Sequence, residues 1–195
     1  MSVLTKKVGR LATFILLSAS LLVATAPVPR GSSELTFLEP SGKQTSLSSF
    51  QGKVVVMEFL LMNCPHCARV ALVISKLHKE LGARGFQPIG IAFDNDAGGG
   101  KVTDFVRRFG IAYPVGYTSA AAVDGFLGRK SSEQFMVPQI VVIDRQGIIR
   151  AQSRPIRESS LEDENYLRNL INSLLDESVP RSGNRPPARE QLKQH

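Results

Sequence analysis

The chain has 195 residues, with 24 Lys and Arg against 17 Asp and Glu and a formal charge of +7. That length suits one domain of ordinary size, able to bury a core without help from disulfides or a metal. The excess charge sits at the two ends (Lys6, Lys7, Arg10 and Arg30; Arg181, Arg185, Arg189 and Lys193 against Glu190), so residues 31–180 are neutral and nucleic-acid binding by the folded part loses its basis.

Lys6, Lys7 and Arg10 precede an uncharged run from Leu11 to Ala26. A basic segment followed by an apolar one is the pattern of an export signal. Ala24-Thr25-Ala26 has the small-x-small form of a cleavage site, although Pro27 directly after it disfavours the cut. Two readings of residues 1–26 stand: a cleaved signal peptide, or an uncleaved N-terminal membrane anchor with its positive end in the cytoplasm. Both make the remainder periplasmic or otherwise extracytoplasmic, with residues 11–26 as the inner-membrane anchor in the second case. A dithiol can be held oxidised there.

Residues 27–33 read as a linker. Leu35–Leu38 suits a first strand, Glu39–Lys43 a turn, and Leu47–Lys53 a turn-rich lead-in. Val54–Met62 is a continuous apolar run broken only by Glu58, as expected of a strand buried on both faces. Val70, Val73, Ile74, Leu77 and Leu81 fall at helical spacing and predict a helix over 65–84, stopped by Gly82 and Gly85. Phe86–Phe93 predicts a strand, Asp94–Gly100 a flexible loop, and Val102–Phe109 a second helix closed by Gly110. Tyr113–Val115 reads as a short extended piece and Ala120–Leu127 as a short helix. Gln139–Ile143 and Ile148–Ala151 predict a hairpin around Asp144–Gly147. Leu161–Leu175 carries Leu167, Leu170, Ile171 and Leu174 on one helical face. Residues 177–195 are rich in Pro, Gly and Arg and predict a disordered basic tail. This order predicts an α/β domain over 34–176: a mixed sheet, parallel where helices link strands, with helices on both faces.

The chain's two cysteines form Cys64-Pro65-His66-Cys67, which excludes a disulfide framework and a four-cysteine zinc site within one chain. The pair falls where a buried strand gives way to a helix. Unsatisfied N–H groups and the positive end of the helix dipole favour thiolate there. Pro65 suits the first helical position. His66 can add positive charge or a hydrogen bond beside Cys64. Cys64 at the exposed end is the expected nucleophile, and the deeper Cys67 the resolving thiol. The bland alternative is an inert buried pair or half of an intermolecular zinc site. Glu58 lies beneath the same helix, where a buried carboxyl with a raised pKa could accept and return the Cys67 proton through water. Otherwise it reaches solvent at the sheet edge. Val137-Pro138 precedes the strand at Gln139. It is either a plain turn or a cis-proline loop whose Val137 backbone bonds a substrate segment.

On these residues the chain resembles the thioredoxin-fold thiol–disulfide oxidoreductases over about residues 34–176. Glu58-Phe59-x-x-x-x-Cys64-Pro65-His66-Cys67 is similar to the active site of DsbA-type periplasmic oxidases, as is Val137 before Pro138. The lead-in Ser46–Lys53 and the hairpin Val142–Gly147 resemble TlpA/ResA-like redoxins and the AhpC/TSA group. The resemblance implies a thioredoxin-like three-layer sandwich, with Cys64 as nucleophile, Cys67 as resolving thiol, Glu58 as buried acid and Pro138 as cis-proline. Three departures stand out. Asn63 replaces the usual aromatic and Trp is absent, His66 takes the place of the proline of haem-maturation redoxins, and residues 94–134 are too few for DsbA's helical insertion.

The expected function is exchange of a Cys64–Cys67 disulfide with cysteine-containing exported proteins, recycled by a membrane or soluble redox partner and without a cofactor. His66 stabilising the reduced form favours the oxidant direction. The alternatives are a reductant for cytochrome c or other cysteine proteins, and a copper-binding chaperone. For the latter His66 is badly placed, His78 reads as a helix-surface residue and His195 lies in the tail. A peroxiredoxin-like antioxidant is disfavoured by Leu61, where that family carries a hydroxyl.

Overall fold

The computed structural model describes residues 27–156 and 159–177. The expected export segment, residues 1–26, and the tail from 178 onward lie outside them. No described helix is long and apolar enough to cross a membrane.

Among the described residues, eight strands form one sheet: β1 Arg30–Gly31, β2 Thr36–Leu38, β3 Gln44–Ser46, β4 Val54–Leu60, β5 Phe86–Ala92, β6 Val115–Tyr117, β7 Gln139–Ile143 and β8 Ile148–Gln152. The four α-helices are α1 Pro65–Leu81, α2 Gly99–Phe109, α3 Ala120–Leu127 and α4 Glu164–Asp176. The strand order is β1-β8-β7-β4-β5-β6-β2-β3. β4, β5 and β6 run parallel, while β7 and β8 join antiparallel. This is the expected mixed sheet.

β4 lies at its centre with every residue buried. Its alternate side chains feed two cores, as strand geometry requires. Val54, Val56 and Leu60 face α1, α2 and α4, against Val70, Ile74, Phe105 and Ile171. Val55, Met57 and Phe59 face α3, with Phe126 and Leu127. Glu58 shares the parity of Val56 and Leu60 and so points towards the side that α1 covers.

Four local expectations are corrected. Arg30 and Gly31, placed in the linker, pair with Ile149 and Ile148 as an edge strand. Gln44–Ser46 pairs with β2, so a hairpin encloses the Glu39–Lys43 turn. The last described helix starts at Glu164, after a short 3-10 turn at Ser160–Glu162. The glycine run is not all loop, since Gly99 and Gly100 open α2. The reason is a close approach: a Cβ on Gly99 would run into the Pro40 carbonyl oxygen, whereas one on Gly100 meets nothing.

The two glycines therefore separate packing from helix propensity. Gly100→Ala should raise unfolding stability by about 0.5–1 kcal/mol, the ordinary gain of Ala over Gly in a helix. Gly99→Ala should lower stability instead. Urea denaturation of both variants checks the opposite signs.

Candidate active site

The chain leaves β4 at Leu60 and turns through Leu61–Asn63 into α1. The turn is held from two sides. Cys64 N–H donates to Leu61 O at 3.1 Å, and Met62 N–H donates to the Asp94 carboxylate at 3.2 Å. Asp94 follows the parallel neighbour β5, so the two strand ends position one another.

Cys64 is the N-cap of α1, in extended backbone, with Pro65 at the first helical position. Its Sγ accepts the backbone N–H of Cys67 at 3.2 Å. Sulfur thus takes the place of the usual capping oxygen, and negative charge on it would meet the positive end of the helix. Cys64 is partly exposed and Cys67 is buried, both as free thiols. Burial pushes the Cys67 thiol far up, the contact with Cys64 adds to it, and the charges of Cys64 and Glu58 act in the same direction.

Glu58 is fully buried. Its Oε2 accepts the Tyr113 hydroxyl at 2.7 Å, while Oε1 has no hydrogen-bond partner among the described residues. Burial raises its pKa to about 8, against the downward pull of the Tyr113 hydrogen bond, and the charge of Glu162 pushes it further up. Tyr113 is likewise raised by burial and by Glu58. The tyrosine reaches the acid because β5 pairs Gly90 with Glu58. A Cβ at Gly90 would lie 3.0 Å from Val115 and 3.4 Å from the Tyr113 ring.

His66 Nε2 lies 2.7 Å from Glu162 Oε2. Glu162 is itself fixed by a capping box with Ser159, whose backbone N–H donates to Oε1 at 3.3 Å. The expected role of His66 beside Cys64 is therefore shared with a carboxylate from the far side of the sheet sequence. At the neighbouring strand end, Val137-Pro138 is a cis peptide. Because β7 is antiparallel to β4, with Gln139 opposite Phe59, Pro138 lies at the same sheet edge as the cysteine turn. Gln139 Nε2 donates to Met136 O at 2.6 Å, and Phe135 stacks on Phe93, which places the loop.

The structure thus brings Cys64, Cys67, Glu58 and His66 to one end of the sheet, with Val137 and Pro138 at the same edge. Three further residues complete the set. Tyr113 and Asp94 carried no signal, since each acts on a residue more than thirty positions away. Glu162 was legible only as the acid of Ser159-x-x-Glu162, a capping-box pattern. His78 donates to, or accepts at, no sulfur: its Nδ1 bonds the Ala112 carbonyl at 2.9 Å. Among the described residues no group of three or more His, Cys, Asp or Glu side chains is placed to hold a metal ion.

The Redoxin family model matches residues 24–170. Comparison with curated proteins gives no match. Among solved structures, a candidate protein disulfide isomerase from Bacteroides thetaiotaomicron is 28% identical, with a TM-score of 0.65 over 77% of this chain and 91% of that one. A thiol:disulfide interchange protein of the thioredoxin family from Chlorobium tepidum TLS is 23% identical, with a TM-score of 0.61 over 78% and 99%. BsSco, a member of the Sco family of cytochrome c oxidase assembly proteins, is 14% identical, with a TM-score of 0.58 over 78% and 97%. The last two speak to the fold, which is thioredoxin-like.

Two titration results follow from this geometry. Glu58 binds its proton more tightly folded, at about 8, than unfolded, near the ordinary 4.5. Its neutral form is tolerated and its charged form is not, so its contribution is complete below about 4.5 and is lost as pH rises to about 8. Denaturation of the oxidised protein should therefore show stability falling across that window. Glu58→Gln should remove the slope and gain on the order of a few kcal/mol at pH 9. In Glu162→Gln, NMR of carboxyl-labelled protein should find the Glu58 titration moved downward, because one repelling charge is gone.

Proposed function

The chain belongs to the Redoxin family and is a thioredoxin-fold thiol–disulfide oxidoreductase, and we propose that it works outside the cytoplasm, passing a Cys64–Cys67 disulfide to cysteine-containing exported proteins. The export pattern of residues 1–26 supports the compartment, as cleaved signal or as anchor. The observation that carries the chemistry is the stacking of roles along one line. A partly exposed sulfur caps α1, a buried thiol lies three residues on, and a buried acid sits beneath both.

The exchange runs as follows. A partner thiolate attacks Cys64 Sγ, forming a mixed disulfide. The Cys64–Cys67 bond breaks, and its electron pair goes to Cys67 sulfur. Burial makes that thiolate costly, so it takes the proton of neutral Glu58, directly or through water. A second partner thiolate then attacks its own partner's sulfur in the mixed disulfide and releases Cys64 thiolate. The partner leaves with a disulfide, and the protein holds the two electrons until a redox partner reoxidises it. On reoxidation Glu58 takes the Cys67 proton back. Val137 and Pro138, at the same sheet edge, offer the backbone along which the partner segment lies.

The direction rests on the N-capped sulfur. A helix end that stabilises Cys64 thiolate stabilises the reduced pair and makes the disulfide the stronger oxidant. A potential well above the about −270 mV of thioredoxin is the expected result of a redox titration. A value at or below it would reverse the direction and favour a reductant of cytochrome c or other cysteine proteins.

With a reduced unfolded protein as substrate, Cys64→Ser should abolish exchange; with a disulfide-containing protein instead, the Cys64 thiolate of Cys67→Ser should attack that disulfide and, having no resolving thiol, stay trapped as a mixed disulfide visible by mass spectrometry. Glu58→Gln should slow formation of the mixed disulfide with the reduced partner by about 10²-fold, within the ordinary range for a lost proton carrier. Unchanged exchange by Cys64→Ser would end the proposal.

A further inference from the structure

Beside Cys64, α1 and the end of α2 leave a hollow of about 300 Å³. Pro65, Ala68, Leu72 and Phe109 supply its apolar wall, and Arg69 and Arg108 its charge. Cys64 itself lines it. Leu72 is 47% exposed, one of the few large apolar side chains that the described surface leaves in solvent.

The two arginines differ from the ion-paired cations of this domain. Lys76, Arg84, Lys101, Arg107, Arg129, Arg150 and Arg168 each pair with a carboxylate. Arg69 and Arg108 form no ion pair among the described residues, and Arg108 instead packs its guanidinium over the Phe109 ring, 5.2 Å from the centroid. The adjoining hollow does hold acids, but they are engaged: Asp94 by Met62 N–H, Asp96 by Lys101 and Asp104 by Arg107. Two unpartnered cations therefore flank an apolar slot that opens on the reactive sulfur. Beside the slot the two arginines outnumber the one carboxylate that no cation pairs, Asp94, and their charge acts within the Debye length of about 10 Å.

Resting on the disulfide-exchange reading above, we propose that this groove selects its partners: it takes a protein segment in which the reacting cysteine stands between an apolar and an acidic residue. The apolar side chain fills the slot between Leu72 and Phe109. The carboxylate meets Arg69 or Arg108, for which a planar guanidinium is well suited. The partner's thiolate is then delivered to Cys64 Sγ. The groove supplies the contact area that the missing aromatic at Asn63 would otherwise give, and it adds a charge preference.

The test uses the full chain, oxidised, and follows its reduction by stopped-flow with three blocked peptides, Ala-Leu-Cys-Glu-Ala, Ala-Leu-Cys-Lys-Ala and Ala-Gly-Cys-Glu-Ala, and with dithiothreitol. The first peptide should react at least tenfold faster than the second at low salt, and severalfold faster than the third. The charge preference should shrink at 0.5 M salt. In Arg69→Gln/Arg108→Gln the Glu-to-Lys ratio should approach one; each protein supplies its own reference, so a general loss of activity does not confuse the result. Equal rates with the Glu and Lys peptides, or a ratio unchanged in the double variant, would overturn the charge preference and with it the proposal. A wild-type protein that dithiothreitol fails to reduce through Cys64 and Cys67 would instead overturn the exchange reading itself.

Discussion

A carboxyl group buried at the centre of a sheet is the constraint around which this molecule is arranged. Glu58 stands in a strand whose seven residues are all buried. An ionised carboxylate there is too costly to keep, so the group holds its proton at neutral pH. Neutrality is also what makes it useful. A carboxylic acid at about 8 sits close to ambient pH and can both give and regain a proton. The surroundings act on this state in both directions, the Tyr113 hydrogen bond favouring ionisation and the Glu162 charge opposing it, and burial decides the outcome. Tyr113 fixes one oxygen, Gly90 leaves the room that its ring needs, and Glu162 adds a charge that discourages ionisation. No base is placed to neutralise the acid.

The thiols divide along the same gradient of burial. Cys64, at the helix end, meets a backbone N–H and partial solvent. Cys67, one turn in, is buried against apolar neighbours, with its partner sulfur and the Leu61 backbone beside it and the charge of the acid acting on it. Two chemically identical groups thus acquire different roles from three residues of separation. The more exposed sulfur can carry charge, and the deeper one must be protonated as soon as it is released. The proton source has to be buried too, because a solvent-reaching acid would ionise and lose the proton before it was needed.

Much of this is legible in the residues, and the reason is local. Glu58 announces itself by breaking the apolar run Val54–Met62. Cys64 and Cys67 announce themselves by spacing and by the strand–helix junction. Short apolar runs locate β4, β5 and β7, and helical spacing locates the longer helices, to within a few residues. What stayed hidden depends on contacts between distant segments. Arg30–Gly31 forms a strand only because β8 offers an edge. Gly99 must be glycine at the start of α2 because a Cβ there would run into the Pro40 carbonyl oxygen of another loop. Tyr113 looks like part of an extended piece until β5 and β6 pair and bring it over Gly90. Glu162 looks like a helix cap, which it is, and only the folded chain shows its second engagement with His66.

That second engagement changes how the tetrapeptide acts. The Nε2 nitrogen of His66 is engaged at Glu162, 2.7 Å away, so any positive charge on the ring is shared with that carboxylate. The charge balance at the nucleophile then depends less on His66 than its position in the sequence suggests. The helix end contributes through the Cys67 N–H, and in the proposed groove Arg69 and Arg108, which have no carboxylate of their own among the described residues, contribute as well. The same four residues, Cys-Pro-His-Cys, can therefore sit at different potentials in different frames, because the frame decides whether the histidine's charge reaches the sulfur. Here a capping carboxylate takes the histidine, and the field that remains at Cys64 comes from groups that an incoming acidic segment would itself neutralise. Binding and reactivity are consequently opposed: a partner that pairs with these arginines gains proximity while weakening part of the field that stabilises the leaving Cys64 thiolate. The helix N–H is untouched by that pairing and is the contribution that persists through the whole exchange.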